Sequence, residues 1–362
     1  MLENCFAILS NANDASLWTY CFDASATAPS LRASERIAAG PGVMPLALSA
    51  DRRQLFAATR GGTPSLVKYS VDSRAARLTT EYRLPIGASL VSLAADRTGQ
   101  LLFGVSYGSH ELLAFSVKQL DLGDATPRQV ESGIIRNAHG VLVSDDNRFV
   151  YATSLGSDAV LSWTLDENAS QPLSALETLS VGRGFGPRHL CLAPDGAWLY
   201  VLSEFRATVA VFRRDTRTGR LAPHSVCARP DVLADLQDGF ARPPATEPQP
   251  DPAMLASLVW AADIHVHPDG RFVYFSERTT NRLFTLRVRA DGTLEHAGHV
   301  ETEPQPRGFR IDPSGRTLLA CGEHSTHVSL FSIDTQTGAL TLCSRSEGGS
   351  GANWVEIVAV ES

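Results

Sequence analysis

One short pattern recurs throughout the chain: a turn built from Asp, Asn, Gly or Pro, then an apolar strand ending in a large residue. It runs Ala50–Phe56, Asp96–Phe103, Asp145–Tyr151, Pro194–Tyr200, Pro268–Tyr274 and Asp312–Leu319. Asp, Asn and Gly tolerate the positive φ of tight hairpins, so each copy supplies the turn between two antiparallel strands. The closing residues are separated by 47, 48, 49, 74 and 45 positions. After most of them an alternating stretch, such as Thr208–Phe212 or His327–Phe331, reads as a third strand. A fourth completes a unit the size of a propeller blade. Helical periodicity is weak, and 28 Gly with 20 Pro suit a turn-rich all-β chain.

Phe6 fits the same series, 50 residues before Phe56. Phe6–Phe22 reads as the outer part of a blade that lacks its first strand, and Asn353–Val358 reads as that strand. Joining the two closes a ring with no free sheet edge. The expectation is an all-β, seven-bladed β-propeller with four antiparallel strands per blade, one blade closed by both termini, in a single domain over residues 1–362. The 74-residue interval holds about 26 residues beyond one repeat, near 228–259, with Pro230, Pro243, Pro244, Pro248, Pro250 and Pro252. This Pro-rich insert reads as a surface loop that either borders a functional site or lies apart from it.

Charge and composition narrow the partners. A net charge of −7 spread along the chain argues against a nucleic-acid or anionic-membrane surface. No run of about 18 apolar residues is long enough for a membrane helix. The first residues lack a basic segment and a long apolar core, so no signal peptide and a cytoplasmic location are expected. The six cysteines are scattered, form no C-x-x-C, and read as reduced apolar residues.

Repeat register selects candidate site residues. His139, Arg188 and Arg307 share one position in the first strand of their repeats, which Met44 and Ala262 occupy in two others. At the end of the second strand the corresponding residues are Ser10, Arg60, Tyr107, Leu155, Glu204, Arg278 and Glu323. A hairpin sets the start of one strand beside the end of the next, so both sets meet around one mouth of the central channel. Arginine forks bind carboxylate or phosphate, and a nearby carboxylate or imidazole moves protons. The competing reading is a rim of ion pairs that stabilises neighbouring blades.

Other motifs carry less. In a regular strand His189 points away from Arg188, as a buried hydrogen-bonded residue or a support behind the site. Asp263-Ile-His265-Val-His267 sets two histidines on one strand face, but with no third ligand no metal is expected. Gly182-Arg-Gly-Phe-Gly186 is not followed by a helical pattern, so no dinucleotide cofactor is expected. Trp18, Trp163, Trp198, Trp260 and Trp354 read as blade packing.

Gly186-Pro-Arg-His-Leu-Cys-Leu-Ala-Pro-Asp-Gly196 with Leu199-Tyr-Val-Leu-Ser-Glu204 resembles the seven-bladed propeller lactonase family. So do Ala262–Tyr274 with Arg278, and Pro306–Gly315; the similarity runs from Phe6 to Val358. That family includes bacterial cycloisomerase-2-type 6-phosphogluconolactonases and the fungal carboxy-muconate cyclase. The resemblance implies a lactone ring opened or closed at the channel mouth without a metal or other cofactor. It implies His139, Arg188, Glu204 and Arg278 as catalytic residues, which repeat register also selects; register adds Arg307, Glu323 and Tyr107, with His189, as substrate-binding candidates. The leading expectation is hydrolysis of an anionic sugar lactone, with Glu204 or His139 as the base. The alternatives are a cycloisomerase that lactonises a muconate-type diacid, and a propeller that binds without catalysing.

Overall fold

The computed structural model describes residues 4–243 and 247–360; Pro244 of the insert lies outside the described residues. Seven four-stranded antiparallel sheets make up the fold. Their innermost strands are Leu46–Leu48, Leu90–Ala95, Ala138–Val143, Pro187–Leu192, Ala261–Val266, Pro306–Ile311 and Ala352–Ala359. Each of these strands contacts the next, and the last contacts the first, so the ring is closed. The closing blade takes its innermost strand, Ala352–Ala359, from the C-terminal end and its second, Asn4–Asn11, from the N-terminal end.

The repeated turn does what its composition requires. Arg52, Gly99, Asn147, Gly196, Gly270 and Gly315 occupy the same place in six hairpins, and every one has positive φ. Glycine takes this conformation freely; at Arg52 and Asn147 the hairpin imposes it on a side chain. The preceding aspartates secure the turn, Asp195 Oδ1 accepting from the Ala197 amide at 2.9 Å and Asp269 Oδ1 from the Arg271 amide at 2.9 Å. The large residues that close each repeat, from Phe6 and Phe56 through Tyr274 and Leu319, are all buried. They pack between faces of adjacent sheets, where apolar burial supplies most of the driving force.

Closure is a packing event as much as a hydrogen-bonding one. Val355 and Ile357 of the last strand enter a cluster with Leu9 and Tyr20 of their own blade and Leu319 and Leu330 of the preceding one. Replacing buried Ile357 by Ala removes contacts from two blades at once and should cost about 2–5 kcal/mol in urea unfolding. A loss below 0.5 kcal/mol would show that this strand does not hold the ring shut.

Candidate functional site

Every innermost strand that carries a candidate side chain begins with a slip in register. The pairing shifts between Ala138 and Val141, Pro187 and Leu190, Ala261 and Ile264, and Pro306 and Gly308. Two residues then oppose one, a β-bulge, which breaks the strict alternation of side chains and re-aims them. Arg188 and His189 together oppose Leu202, and their side chains touch, Arg188 Nη1 lying 3.2 Å from His189 Nε2. The expectation that His189 points away from Arg188 is therefore corrected, because the strand is not regular there.

The bulges and the ends of the second strands enclose one cavity of about 790 Å³. Arg60, Tyr107, His139, Arg188, Glu204, Arg278, Arg307 and Glu323 all line it, as the hairpin geometry requires; Ser10, Met44, Leu155 and Ala262 of the same register positions are not among its lining residues. The Pro-rich insert borders it through Phe240, Arg242, Pro252 and Leu255, and the Tyr107 hydroxyl donates to the Arg242 carbonyl at 3.1 Å. His189 is not among these residues. It lines a second cavity of about 760 Å³, together with Asp263, His265, Arg310 and Trp354. That cavity reaches the hairpin turns at the far ends of the innermost strands, so the two cavities open toward opposite ends of the ring.

At the centre of the first cavity Glu204 is held by two arginines. Arg278 Nη2 donates to Glu204 Oε1, and Arg188 Nε lies 3.6 Å from Oε2. Burial alone would raise the pKa of Glu204, but Arg278 and then Arg188 outweigh it and hold the carboxyl below its ordinary range. Arg188 is 1% exposed, and burial lowers its pKa to about 9 despite Glu204. Its Nη1 donates to the Ala262 carbonyl; among the described residues its buried Nε has no hydrogen-bond partner. Arg307 donates to Glu323 at 2.7 Å.

His139 is buried and has no hydrogen bond among the described residues; its Nδ1 is an enclosed orphan. Burial first, then Arg188, His189, Arg307 and Arg278, push its pKa well below the ordinary 6.5, so the ring is neutral at pH 7. Tyr107 and His189 flank it edge-on, with ring centroids at 6.1 and 5.2 Å.

Several residues that order the site were not singled out by sequence. Asp263 accepts from His189 Nδ1 at 2.7 Å and His265 Nε2 at 3.0 Å, and from the Ile264 and Phe309 amides at 3.0 and 3.3 Å. A carboxylate only accepts, so His189 carries its proton on Nδ1 and presents Nε2 as the acceptor for Arg188. The same logic places a proton on Nε2 of His265, leaving Nδ1 for Arg310 at 3.3 Å. His267 turns elsewhere, bonding Gly315 and Asp269, so the two histidines once grouped by spacing share no partner. Buried Glu277 accepts from the amides of Trp260, Thr279 and Thr280, fixing the turn that carries Arg278. Trp260 lines the cavity with Arg242 and Arg278 over its ring, and Trp354 lies against His189. Reading these two as plain blade packing is thus corrected, whereas Trp163 is buried inside a blade cluster. Gly104-Val-Ser-Tyr-Gly108 has the spacing of a nucleophile elbow, yet Ser106 is buried at the end of a strand with no strand-to-helix turn.

Asp263 also fixes a pH dependence. Burial opposes its ionisation, but His265 and the bonds from both histidines hold its carboxyl well below the ordinary range. A carboxylate with a depressed folded pKa stabilises the fold above its unfolded value of about 3.9, and the contribution disappears as pH falls through the folded value. Asp263→Asn should therefore lower stability on the order of 3 kcal/mol at pH 7. In urea unfolding the gap should stay constant from about pH 5 to 8 and shrink below about pH 4; a gap that widens in acid would contradict this account.

The chain matches the family model described as lactonase, seven-bladed β-propeller, over residues 9–357. It is 33% identical over 323 residues to a 6-phosphogluconolactonase of Photorhabdus laumondii, covering 88% of this chain and 89% of the relative. It is 30% identical over 324 residues to one from Cronobacter sakazakii, with the same coverage. Among solved structures it is similar to a putative 6-phosphogluconolactonase from Bacteroides uniformis, with a TM-score of 0.83 at 22% identity, covering 99% of this chain and 100% of that one. It is also similar to a periplasmic gluconolactonase of Pseudomonas aeruginosa, with a TM-score of 0.82 at 24% identity and the same coverage. No helix among the described residues is long and apolar enough to cross a membrane.

Proposed function

Because the chain belongs to the family of seven-bladed β-propeller lactonases, we propose that its arginine-lined cavity hydrolyses an anionic sugar lactone, as its 6-phosphogluconolactonase relatives are named for doing. The observation that carries this reading is the meeting of His139, Arg188, Glu204 and Arg278 on one cavity. Water adds to the lactone carbonyl carbon, the bond from that carbon to the ring oxygen breaks, and the proton taken from water passes to the ring oxygen. The negative charge that develops on the carbonyl oxygen falls to Arg188 and Arg278. Glu204 is committed to both arginines, and its role is to hold them and offset their mutual repulsion. His139, neutral and unbonded, takes the proton.

Burial is the larger cause of the neutrality of His139 and the cations are the smaller; an anionic lactone offsets the cationic part. The imidazole's proton affinity rises at the moment a base is needed. We assign charge stabilisation to arginines and no step to a metal, so chelation by EDTA should leave the rate unchanged; loss of activity restored by added metal would overturn that assignment. A cytoplasmic compartment is part of the same reading, supported by Cys21, Cys191, Cys227, Cys321 and Cys343, which form no disulfide among the described residues.

Arg188→Ala and Arg278→Ala should each lower kcat/KM on a 6-phosphorylated sugar δ-lactone by ~10²-fold or more. Full activity in both variants would end the assignment. His139→Asn should depress kcat more than it changes KM. Because a depressed pKa keeps the free enzyme's base unprotonated in acid, kcat/KM corrected for spontaneous ring opening should be flat between about pH 6 and 8; an inflection near 6.5 would show an ordinary histidine instead. Incubation with a muconate-type diacid separates the cycloisomerase alternative, since it yields a lactone without consuming water.

A further inference from the structure

The cavity holds five arginines and two glutamates, and their pairing is uneven. Glu204 serves Arg188 and Arg278, and Glu323 serves Arg307. Arg60 and Arg242 have no carboxylate partner among the described residues. The contact of Arg60 is a 4.0 Å approach of Nη1 to the Met44 sulfur, and the Arg242 guanidinium lies 4.5 Å over the Trp260 ring. Neither contact neutralises a charge. Both residues are exposed by whole-residue area, and both line the same cavity.

We infer that Arg60 and Arg242 form the anion subsite of the cavity, which takes a phosphate group on the lactone and so selects phosphorylated over unphosphorylated substrate. The inference rests on the lactonase reading for the rest of the ligand, but not for the phosphate. The geometry divides the cavity in two. His139, Arg188, Glu204 and Arg278 come from three consecutive blades, and they carry the paired, buried charges. Arg60 stands on the blade just beyond the closing one, and Arg307 on the blade just before it, so the closing blade separates them. Arg242 reaches in from the insert, its backbone fastened to Tyr107.

Electrostatics agree with this division. Burial first, then Arg307, lowers the pKa of Arg60 to about 10, with Glu323 only partly compensating. Burial, then Arg278, lowers that of Arg242, and Arg307 adds to the effect. Both cations therefore feel Arg307 across a shared space, and a dianionic group placed there would relieve all three. Arginine forks match phosphate oxygens bidentately. In a sugar δ-lactone with a 6-phosphate, the carbonyl carbon and C5 both bond the ring oxygen, and the phosphate extends from C5 through C6, which suits an anion side that adjoins the reaction side.

The test compares kcat/KM on a six-carbon sugar δ-lactone with and without its 6-phosphate, and titrates inorganic phosphate by calorimetry. The natural protein should prefer the phosphorylated lactone. Arg60→Met and Arg242→Met should each reduce that preference ~10- to 100-fold, and the double variant should approach indifference. Arg278→Met, on the reaction side, should slow both lactones by similar factors. Natural protein that is indifferent to the phosphate, or variants that keep its preference, would overturn the subsite. If neither lactone is opened, the lactonase reading fails and the titration decides. Phosphate bound by the natural protein and lost in Arg60→Met/Arg242→Met supports the subsite; phosphate bound equally by both, or by neither, overturns it.

Discussion

The repeated β-bulge at the start of the innermost strands is the constraint from which the site follows. Seven strands converge on one axis, and a regular pleat would let only alternate residues face it. A bulge turns two consecutive side chains toward the axis at once, which is how Arg188 and His189 come into contact. The same slip exposes Asp263, rather than Ala262 alone, to the neighbouring strand, where it meets the histidine of one blade and the Phe309 amide of the next. Polar contacts thus run across blades precisely placed by a local irregularity, while apolar clusters between the sheets hold the blades themselves.

Concentrating cations at an axis has a cost, and the molecule meets it in three ways. Glu204 and Glu323 accept from the arginines nearest the reaction side and its neighbour. His139 and His189 stay neutral, so they add no repulsion: burial first lowers the pKa of both, and burial and then Arg188 bring that of His189 to about 4, even beside Asp263. The aromatic face of Trp260 accommodates the guanidinium groups of Arg242 and Arg278. What remains is an excess of positive charge facing open volume, the arrangement expected of a site that receives an anion.

Much of this was legible in the chain. The spacing of Phe56, Phe103, Tyr151, Tyr200, Tyr274 and Leu319 gave the blades, because each had to be buried once per repeat. The strand missing from one end and spare at the other gave the closure. Register alone brought Arg60, Tyr107, His139, Arg188, Glu204, Arg278, Arg307 and Glu323 to one mouth, because hairpin geometry is fixed once the turn is known. The bulges were not legible, and with them went the position of His189 and the part played by Asp263: a one-residue slip leaves no mark in composition. Trp260 and Arg242 were missed for another reason, since they belong to the insert and its exit, where no repeat exists for comparison. The proline cluster marked the insert as irregular but said nothing of which side chains it would turn toward the cavity.

The closing strand, Ala352–Ala359, follows every other described strand in chain order, and it lies between the blades that carry Arg307 and Arg60. Until it docks against Asn4–Asn11, those two arginines are held on opposite lips of an open seam. The other blades can form in chain order, but the wall joining the two sides of the cavity is completed only when this late strand docks. Ligand recognition in this architecture therefore waits on that docking, and a chain without Ala352–Ala359 would have nearly all of the sheets but a cavity whose two sides are not joined.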